Sequence, residues 1–170
     1  MDMNIEKYNN ILPSIDEDVF IANGANIIGD VSIEKDSSIW FNVVIRGDVA
    51  PVIIGQGTNI QDCSVIHSSR FNGPSNIGDF VTVGHSAVIH ACTIHDYGFI
   101  GMHSTVMDKA IIESYGFVAA GALIPPGKIV KSHELWAGVP GKFIRKITSD
   151  EINLIEDSFQ HYIKLSQQYK

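Results

Sequence analysis

The chain has 170 residues and a net charge of −7, with 12 Lys and Arg against 19 Asp and Glu. Hydrophobic residues make up 45% and charged residues 18%, which is typical of a folded globular domain and not of a disordered chain. The acidic balance argues against nucleic acid or an anionic membrane as a partner. No apolar stretch is long enough to span a bilayer, and the polar N-terminal residues do not resemble a signal peptide, so we expect a cytoplasmic protein.

Aliphatic residues recur every six positions over most of the chain. The repeat comprises Ile27, Ile33, Ile39, Ile45, Ile54, Ile60, Ile66, Ile77, Val83, Ile89, Ile94, Ile100, Val106, Ile112, Val118, Ile124 and Val130. A hexapeptide period is the signature of a parallel β-helix, in which three hexads make one coil and neighbouring coils lie about 4.8 Å apart. We therefore predict one all-β solenoid domain over residues 21–147, preceded by a lead-in strand and turn over residues 1–20.

Two departures from the period predict loops, and a third predicts a helix. Three extra residues precede Ile54 and five precede Ile77, and a solenoid tolerates insertions only away from its core, so both should be outward loops. The C-terminal segment 148–170 changes to helical spacing after the capping-box pattern Thr148-Ser-Asp-Glu151. We predict a helix from about 149 to 168, packed on the outside of the β-helix.

The only two cysteines, Cys63 and Cys92, follow aliphatic positions of different hexads in the coil. They should lie on different faces, which disfavours a disulfide. Both are predicted to be small, buried and reduced residues.

Two histidines occupy equivalent positions on successive coils. His67 follows Ile66 by one residue and His90 follows Ile89 by one, and the interval between them is one full coil plus the five-residue insertion. Their Cα atoms should therefore lie one strand spacing apart, close enough for both imidazoles to bind one metal ion. Arg46 should lie one coil earlier in the same column.

His85 should lie on another face, because it follows Val83 of the preceding hexad by two residues. To meet the other two histidines within one chain it would have to reach around a corner, whereas a neighbouring subunit related by threefold symmetry presents it more naturally. We expect Asp62 one coil below His85, with Gln61 beside it, and His103 one coil above. The remaining histidines are expected to be solvated surface residues: His95, His133 and His161.

The residues by themselves leave three functions open. The first is a metal-dependent enzyme that uses the three clustered histidines. The second is a hexapeptide-type acyltransferase, with His85 or His103 as general base and no metal. The third is a non-catalytic metal-binding or assembly module.

A set of spaced residues resembles the gamma-class carbonic anhydrase family over nearly the whole chain. The set comprises Arg46-Gly-Asp48, Gln61-Asp62, His67, His85, His90 and the segment Ala137-Gly-Val-Pro-Gly-Lys142. The hexads alone are shared with many acyltransferases, so the histidine spacing carries the resemblance. It implies a left-handed β-helix and a homotrimer with one divalent metal at each subunit interface. His67 and His90 would come from one subunit and His85 from the next.

The resemblance also implies an activity and roles for further residues. Hydroxide generated at the metal would hydrate carbon dioxide to bicarbonate, with zinc as the first choice and iron or cobalt as alternatives that suit imidazole ligands. Gln61 would hydrogen-bond the water at the metal, and Tyr162 would border the site. Arg46 would pair with Asp48 and Asp62 to hold the interface.

One departure from the family pattern concerns proton transfer. Characterised members carry a glutamate directly after the Asp of the Arg-x-Asp motif and another in a longer loop, whereas this chain has Val49 and a loop, 68–76, without any acid. We therefore expect carbon dioxide hydration that is limited by proton exit. The same metal site could instead hydrolyse thioesters.

Overall fold

The computed structural model describes residues 3–170, which form a parallel β-helix followed by one α-helix. The fold is the predicted left-handed β-helix. Each coil contributes short strands to three walls, and each strand pairs in parallel with its counterpart one coil away.

The strands divide among the walls as follows. The first wall contains β1 (Asn4–Glu6), the first half of β4 (Asn26–Ile33), the first half of β6 (Val44–Ile54), β8 (Val65–His67), β11 (Val88–His90), β14 (Thr105–Val106) and β17 (Leu123–Ile124). The second wall contains β2 (Ser14–Ile15), the second halves of β4 and β6, β9 (Ser75–Ile77), β12 (Thr93–Ile94), β15 (Ile111–Ile112) and β18 (Ile129–Val130). The third wall contains β3 (Phe20–Ile21), β5 (Ser38–Ile39), β7 (Asn59–Ile60), β10 (Thr82–Val83), β13 (Phe99–Ile100), β16 (Phe117–Val118), β19 (Glu134–Ala137) and the antiparallel β20 (Lys142–Lys146).

The hexad residues form the core. Every aliphatic residue of the six-residue repeat is buried, with Ile33 the most exposed at 3%. Full burial of one such side chain contributes roughly 1.5–3 kcal/mol, so the stacked columns fix the register of the coils. Because the register is fixed, the coil and the wall on which each outward-facing side chain lies are also fixed.

One detail differs from the sequence prediction. The three extra residues between Ile45 and Ile54 form a bulge within β6 and not a separate loop, because the pairing of β6 with β4 shifts register between Gly47 and Val52 and then resumes on the second wall. The segment predicted as a lead-in contributes β1 and β2, which pair with β4. Its first two residues lie outside the described range. The second insertion does form a loop after His67, closed by a bridge between Ser69 and Gly73.

The predicted C-terminal helix is confirmed as α1 (Ser149–Gln167). Thr148 and Glu151 form the predicted capping box, with both reciprocal hydrogen bonds present. The helix contacts β5, β7 and β10, so it covers part of the third wall. Tyr162 on its inner side meets the ring of Trp40 edge-on at 5.3 Å. Within residues 3–170, no helix is both long and apolar enough to cross a membrane.

Candidate metal centre

The first wall brings His67 and His90 together as predicted. The strand register aligns Arg46 with His67 and His67 with His90. The two imidazole rings point outward with their centroids 5.2 Å apart. Their side chains are only 19% and 31% exposed, so the pair lies in a partly sheltered position.

Asp48 holds His67 in place. Nε2 of His67 donates to Oδ1 of Asp48 at 3.0 Å, and Arg46 forms an ion pair with the other oxygen of the same carboxylate. Partial burial by itself would raise the pKa of Asp48, but the hydrogen bonds from His67 and Arg46 outweigh it and hold that pKa below its usual value. The Arg-x-Asp motif therefore orients one of the two stacked histidines.

Asp108 holds His90 in the same way, and sequence analysis missed it. Nδ1 of His90 donates to Oδ1 of Asp108 at 2.6 Å, while Nδ2 of Asn72 donates to Oδ2 at 2.7 Å. Burial by itself would raise the pKa of Asp108. The hydrogen bond from Asn72, followed by that from His90, outweighs burial, so the pKa lies below its usual value. A signal was present in the hexad register, since Asp108 follows Val106 and Val106 lies one coil after Ile89.

His85 lies elsewhere, in the turn between the third wall and the first. Its Nδ1 is 2.7 Å from Oδ2 of Asp62, which lies one coil below as predicted. The side chains are 41% and 34% exposed. Within one chain Asp62 thus faces His85, and the ion-pair partner of Arg46 is Asp48.

Gln61 is embedded in a hydrogen-bond network that connects the third wall to the helix. Its Nε2 donates to Oδ1 of Asn59 at 3.0 Å, and Nδ2 of Asn59 donates to Oγ1 of Thr82 at 2.9 Å. Oγ1 of Thr82 lies 3.0 Å from Oγ of Ser158 on α1. Gln61 is only 6% exposed and Asn59 is fully buried. Sequence analysis missed the other three residues, since their position in the pattern is that of ordinary strand residues.

A cavity of about 400 Å³ opens beside this network, between the third wall and α1. Its polar lining includes Gln61, His85 and Tyr162, and its apolar lining includes Phe99 and Phe117. Those two rings stack with centroids 4.5 Å apart. The pKa of Tyr162 is raised, mainly by burial and to a smaller extent by the negative charge of Asp62. Its hydroxyl therefore stays protonated at neutral pH.

Two positions differ from the sequence prediction. The register pairs Val83 with Ile100, so the residue one coil above His85 is Met102 and not His103. His103 lies one position further on, in a corner with φ of +57°, where Cys63 and Ser86 occupy the same place in earlier coils.

Both cysteines are free as predicted, but Cys63 is exposed because this corner points outward, while Cys92 is buried.

The donor set fits a metal with imidazole ligands. Each of His67, His85 and His90 has one ring nitrogen against a carboxylate oxygen, and in residues 3–170 the second nitrogen has no hydrogen-bond partner. A carboxylate in that position fixes the orientation and tautomer of a ligating histidine. Within the same residues of a single chain, no three His, Cys, Asp or Glu side chains converge to hold a metal ion.

Comparisons with known proteins give the family. No family model matches the chain. It is 48% identical to gamma carbonic anhydrase 2, a mitochondrial protein of Arabidopsis thaliana, over 91% of its own residues, and it spans only 58% of that relative. It is 43% identical to the carbonic anhydrase of Geobacillus kaustophilus, with 98% of this chain and 91% of the relative covered.

A solved structure agrees with the fold. The hexapeptide transferase family protein of Anaplasma phagocytophilum superposes with a TM-score of 0.95, at 49% identity and with 98% of both chains covered. The resemblance found in the histidine spacing and the identity to named relatives over nearly the whole chain agree. This chain belongs to the gamma carbonic anhydrase family.

Proposed function

We propose that this protein is a metal-dependent carbonic anhydrase that hydrates carbon dioxide to bicarbonate at a site shared between subunits. One observation carries the proposal. Three histidines each meet a carboxylate through one ring nitrogen, yet they are divided between two surfaces of the chain. Such an arrangement is complete only when a second copy brings the missing surface.

The ligands would be His67 and His90 of one subunit and His85 of its neighbour. The first two lie side by side on the first wall, and the third lies in the turn before that wall. Because the two halves of the site lie on different surfaces, the contact joins unlike patches, and repetition of such a contact closes a ring when the rotation between subunits is an exact fraction of a turn. The triangular coil and the family resemblance favour a homotrimer, with one metal at each interface.

Zinc is the first choice of metal, and iron or cobalt would suit the same ligands. When bound, a divalent metal with three imidazole ligands supplies a Lewis acid that makes water acidic enough to ionise near neutral pH. The carboxylates of Asp48, Asp62 and Asp108 would hold the imidazoles in the orientation that such a role requires.

Residues beside His85 would bind and orient the substrate. The hydrogen bond from Gln61 to Asn59 fixes the amide, so its carbonyl oxygen is left to accept a hydrogen bond from water in the cavity. Tyr162 keeps its proton and can donate to a developing bicarbonate oxygen. The apolar lining by Phe99 and Phe117 suits carbon dioxide, which carries no net charge or dipole.

The test combines two measurements on one sample purified without chelator. Elemental analysis should find about one equivalent of metal per chain, and stopped-flow assays should detect carbon dioxide hydration that is lost when a chelator removes the metal. A preparation with a full metal complement and no hydration at any buffer concentration would contradict the proposal.

A hexapeptide-type acyltransferase is the second candidate, and the pairing of His85 with Asp62 favours it. A histidine held by a carboxylate at 2.7 Å is the arrangement of a general base with its orienting group. The cavity beside it has room for an acyl group as well as for carbon dioxide. Acyl transfer, unlike hydration or metal-dependent thioester hydrolysis, should survive complete removal of metal.

Cytoplasmic residence stays a prediction from the sequence. The same holds for the expectation that neither nucleic acid nor a membrane is a partner. Cell fractionation with an antibody against the chain would test the compartment directly.

A further inference from the structure

We propose that Asp108 is the positioning residue for His90, and that Asn72 in the loop after His67 holds Asp108 in place. The inference rests on the proposed metal site but concerns a residue outside the motifs that mark the family resemblance. Oδ1 of Asp108 accepts from Nδ1 of His90 at 2.6 Å, and Oδ2 accepts from Nδ2 of Asn72 at 2.7 Å. Both oxygens of one carboxylate are thus engaged by side chains.

The comparison with the other two histidines supports this role. Asp48 and Asp62 each place one carboxylate oxygen against a ring nitrogen, of His67 and His85 respectively. Without Asp108, His90 would be the one ligand candidate whose ring has no carboxylate to orient it. The Asp108 side chain is 16% exposed, the same fraction as that of Asp48, so the two carboxylates have similar shelter from water.

The loop after His67 carries no acid for proton transfer, but it supplies Asn72, which contacts Asp108. Asn72 is exposed, and its amide crosses to Asp108, 36 residues further along the chain. The hydroxyl of Ser69 accepts from the backbone N–H of Asn72, which fixes the direction in which the loop approaches. The loop therefore supports a metal ligand through Asp108.

The role makes a prediction about the ring itself. A carboxylate that accepts from Nδ1 stabilises the tautomer with a proton on that nitrogen and leaves Nε2 free for a metal. Nitrogen-detected NMR of the metal-free protein should find this tautomer for His90. Asp108→Ala should produce a mixture of tautomers, whereas Asp108→Asn, which keeps an acceptor oxygen, should largely restore the wild-type spectrum.

Zinc affinity gives the second measurement, by competition with a chelator. Asp108→Ala should bind zinc about 10–100-fold more weakly, the usual effect of removing the partner of a ligating histidine. Asn72→Ala should show a smaller loss, because it leaves the Asp108 contact with His90 intact. Asp96→Asn is the matched control, since Asp96 also stands two residues after a hexad aliphatic but accepts from a backbone N–H, that of Asp79.

The outcomes separate this inference from the proposed function. Wild-type tautomer and wild-type zinc affinity in Asp108→Ala would overturn the positioning role, even if the protein is a fast carbonic anhydrase. If the alanine variant does not fold, an Asn72→Ala protein with an unchanged His90 spectrum and unchanged zinc affinity would overturn the part played by the loop. If no variant or wild type binds zinc, the tautomer shift in the metal-free protein still decides the role of Asp108.

Discussion

The first wall and the third wall carry the two halves of the candidate site in different ways. On the first wall, His67 and His90 come together through strand register alone, and their carboxylate partners lie on the same surface. On the third wall, Gln61 belongs to a buried network that reaches Ser158 of α1, and His85, in the turn that follows this wall, pairs with Asp62. The repeat therefore brings the candidate metal ligands to fixed positions, while the helix that breaks the repeat adds one side of the cavity.

The largest expected effect is the loss of metal when a ligand is removed from either half. His67→Ala, His90→Ala and His85→Ala should each reduce bound metal and hydration to near background, because two imidazoles hold a metal far more weakly than three. Elemental analysis after gel filtration measures this directly. His95→Ala, at an exposed position, is the matched control.

If His85→Ala keeps its metal while the other two lose it, the third wall does not contribute a ligand. The site would then belong to the first wall alone.

The next effect concerns Arg46, whose side chain is 44% exposed in a single chain. If the first wall faced water, breaking the pair with Asp48 would cost at most about 1 kcal/mol. If a neighbouring subunit covers the wall, Arg46→Ala leaves the Asp48 carboxylate buried without its cationic partner and should cost about 3–5 kcal/mol. We expect the larger value, together with dissociation of the oligomer.

Light scattering across a range of protein concentrations measures that dissociation. A wild-type protein that is monomeric throughout would contradict both the role of Arg46 and the shared site.

A moderate effect is expected at Val49, which is 43% exposed and directly follows Asp48. In the proposed hydration reaction each turnover releases a proton that must leave the site, and neither Val49 nor the loop after His67 offers a carboxylate on the way. Val49→Glu should therefore raise the hydration rate at low buffer concentration and have little effect at high buffer. Stopped-flow rates over a series of imidazole-type buffer concentrations measure the difference.

Val49→Gln is the control of similar size, without a titratable group. A wild-type rate that is already fast and independent of buffer would refute the argument about proton exit.

The smallest effect lies at the start of α1, where Glu151 closes the capping box. The hydrogen bond from Arg145 lowers the pKa of Glu151 to about 2. Because the folded-state pKa lies below the usual 4.5, the contribution of this carboxylate is fully present above pH 4.5 and is lost as the pH falls toward 2. Gln can still close the capping box, so Glu151→Gln removes only the charge and should lower the free energy of unfolding by at most about 1 kcal/mol at pH 7.

Urea unfolding at several pH values should show the gap between variant and wild type closing in that acidic range. Glu17→Gln, at an exposed position, should show no such gap. A gap that stays constant down to pH 2 would contradict the cause assigned to it.

The six-residue repeat predicted the fold and part of the candidate site, because the number of residues between two positions determines which coil and which wall each one occupies. It predicted that His67 and His90 lie side by side on neighbouring coils and that Asp62 lies one coil below His85. Both predictions depend only on how many residues separate each side chain from the preceding buried aliphatic residue. The prediction for His103 was wrong, because His103 stands three residues after Ile100 and the residue aligned with His85 is Met102.

Other features could not be predicted from the repeat because they depend on where side chains reach. The register gives the position of Asp108 but not its contact with Asn72, which crosses a loop whose path no period fixes. A bulge in β6 took the place of the expected loop because β4 pairs with both halves of β6, on either side of the register shift. The network from Gln61 to Ser158 requires the docked position of α1, which the helical spacing alone does not give.

Mixed oligomers test most directly the claim that the site is shared between subunits. His85→Ala chains keep the first-wall half, and His67→Ala chains keep the third-wall half, so neither variant alone should bind metal. When the two are unfolded together and refolded, or co-expressed with different tags and purified through both, metal and hydration should return in the mixed oligomers. Mixed oligomers that remain as empty and inactive as the separate variants would contradict a site built from two chains.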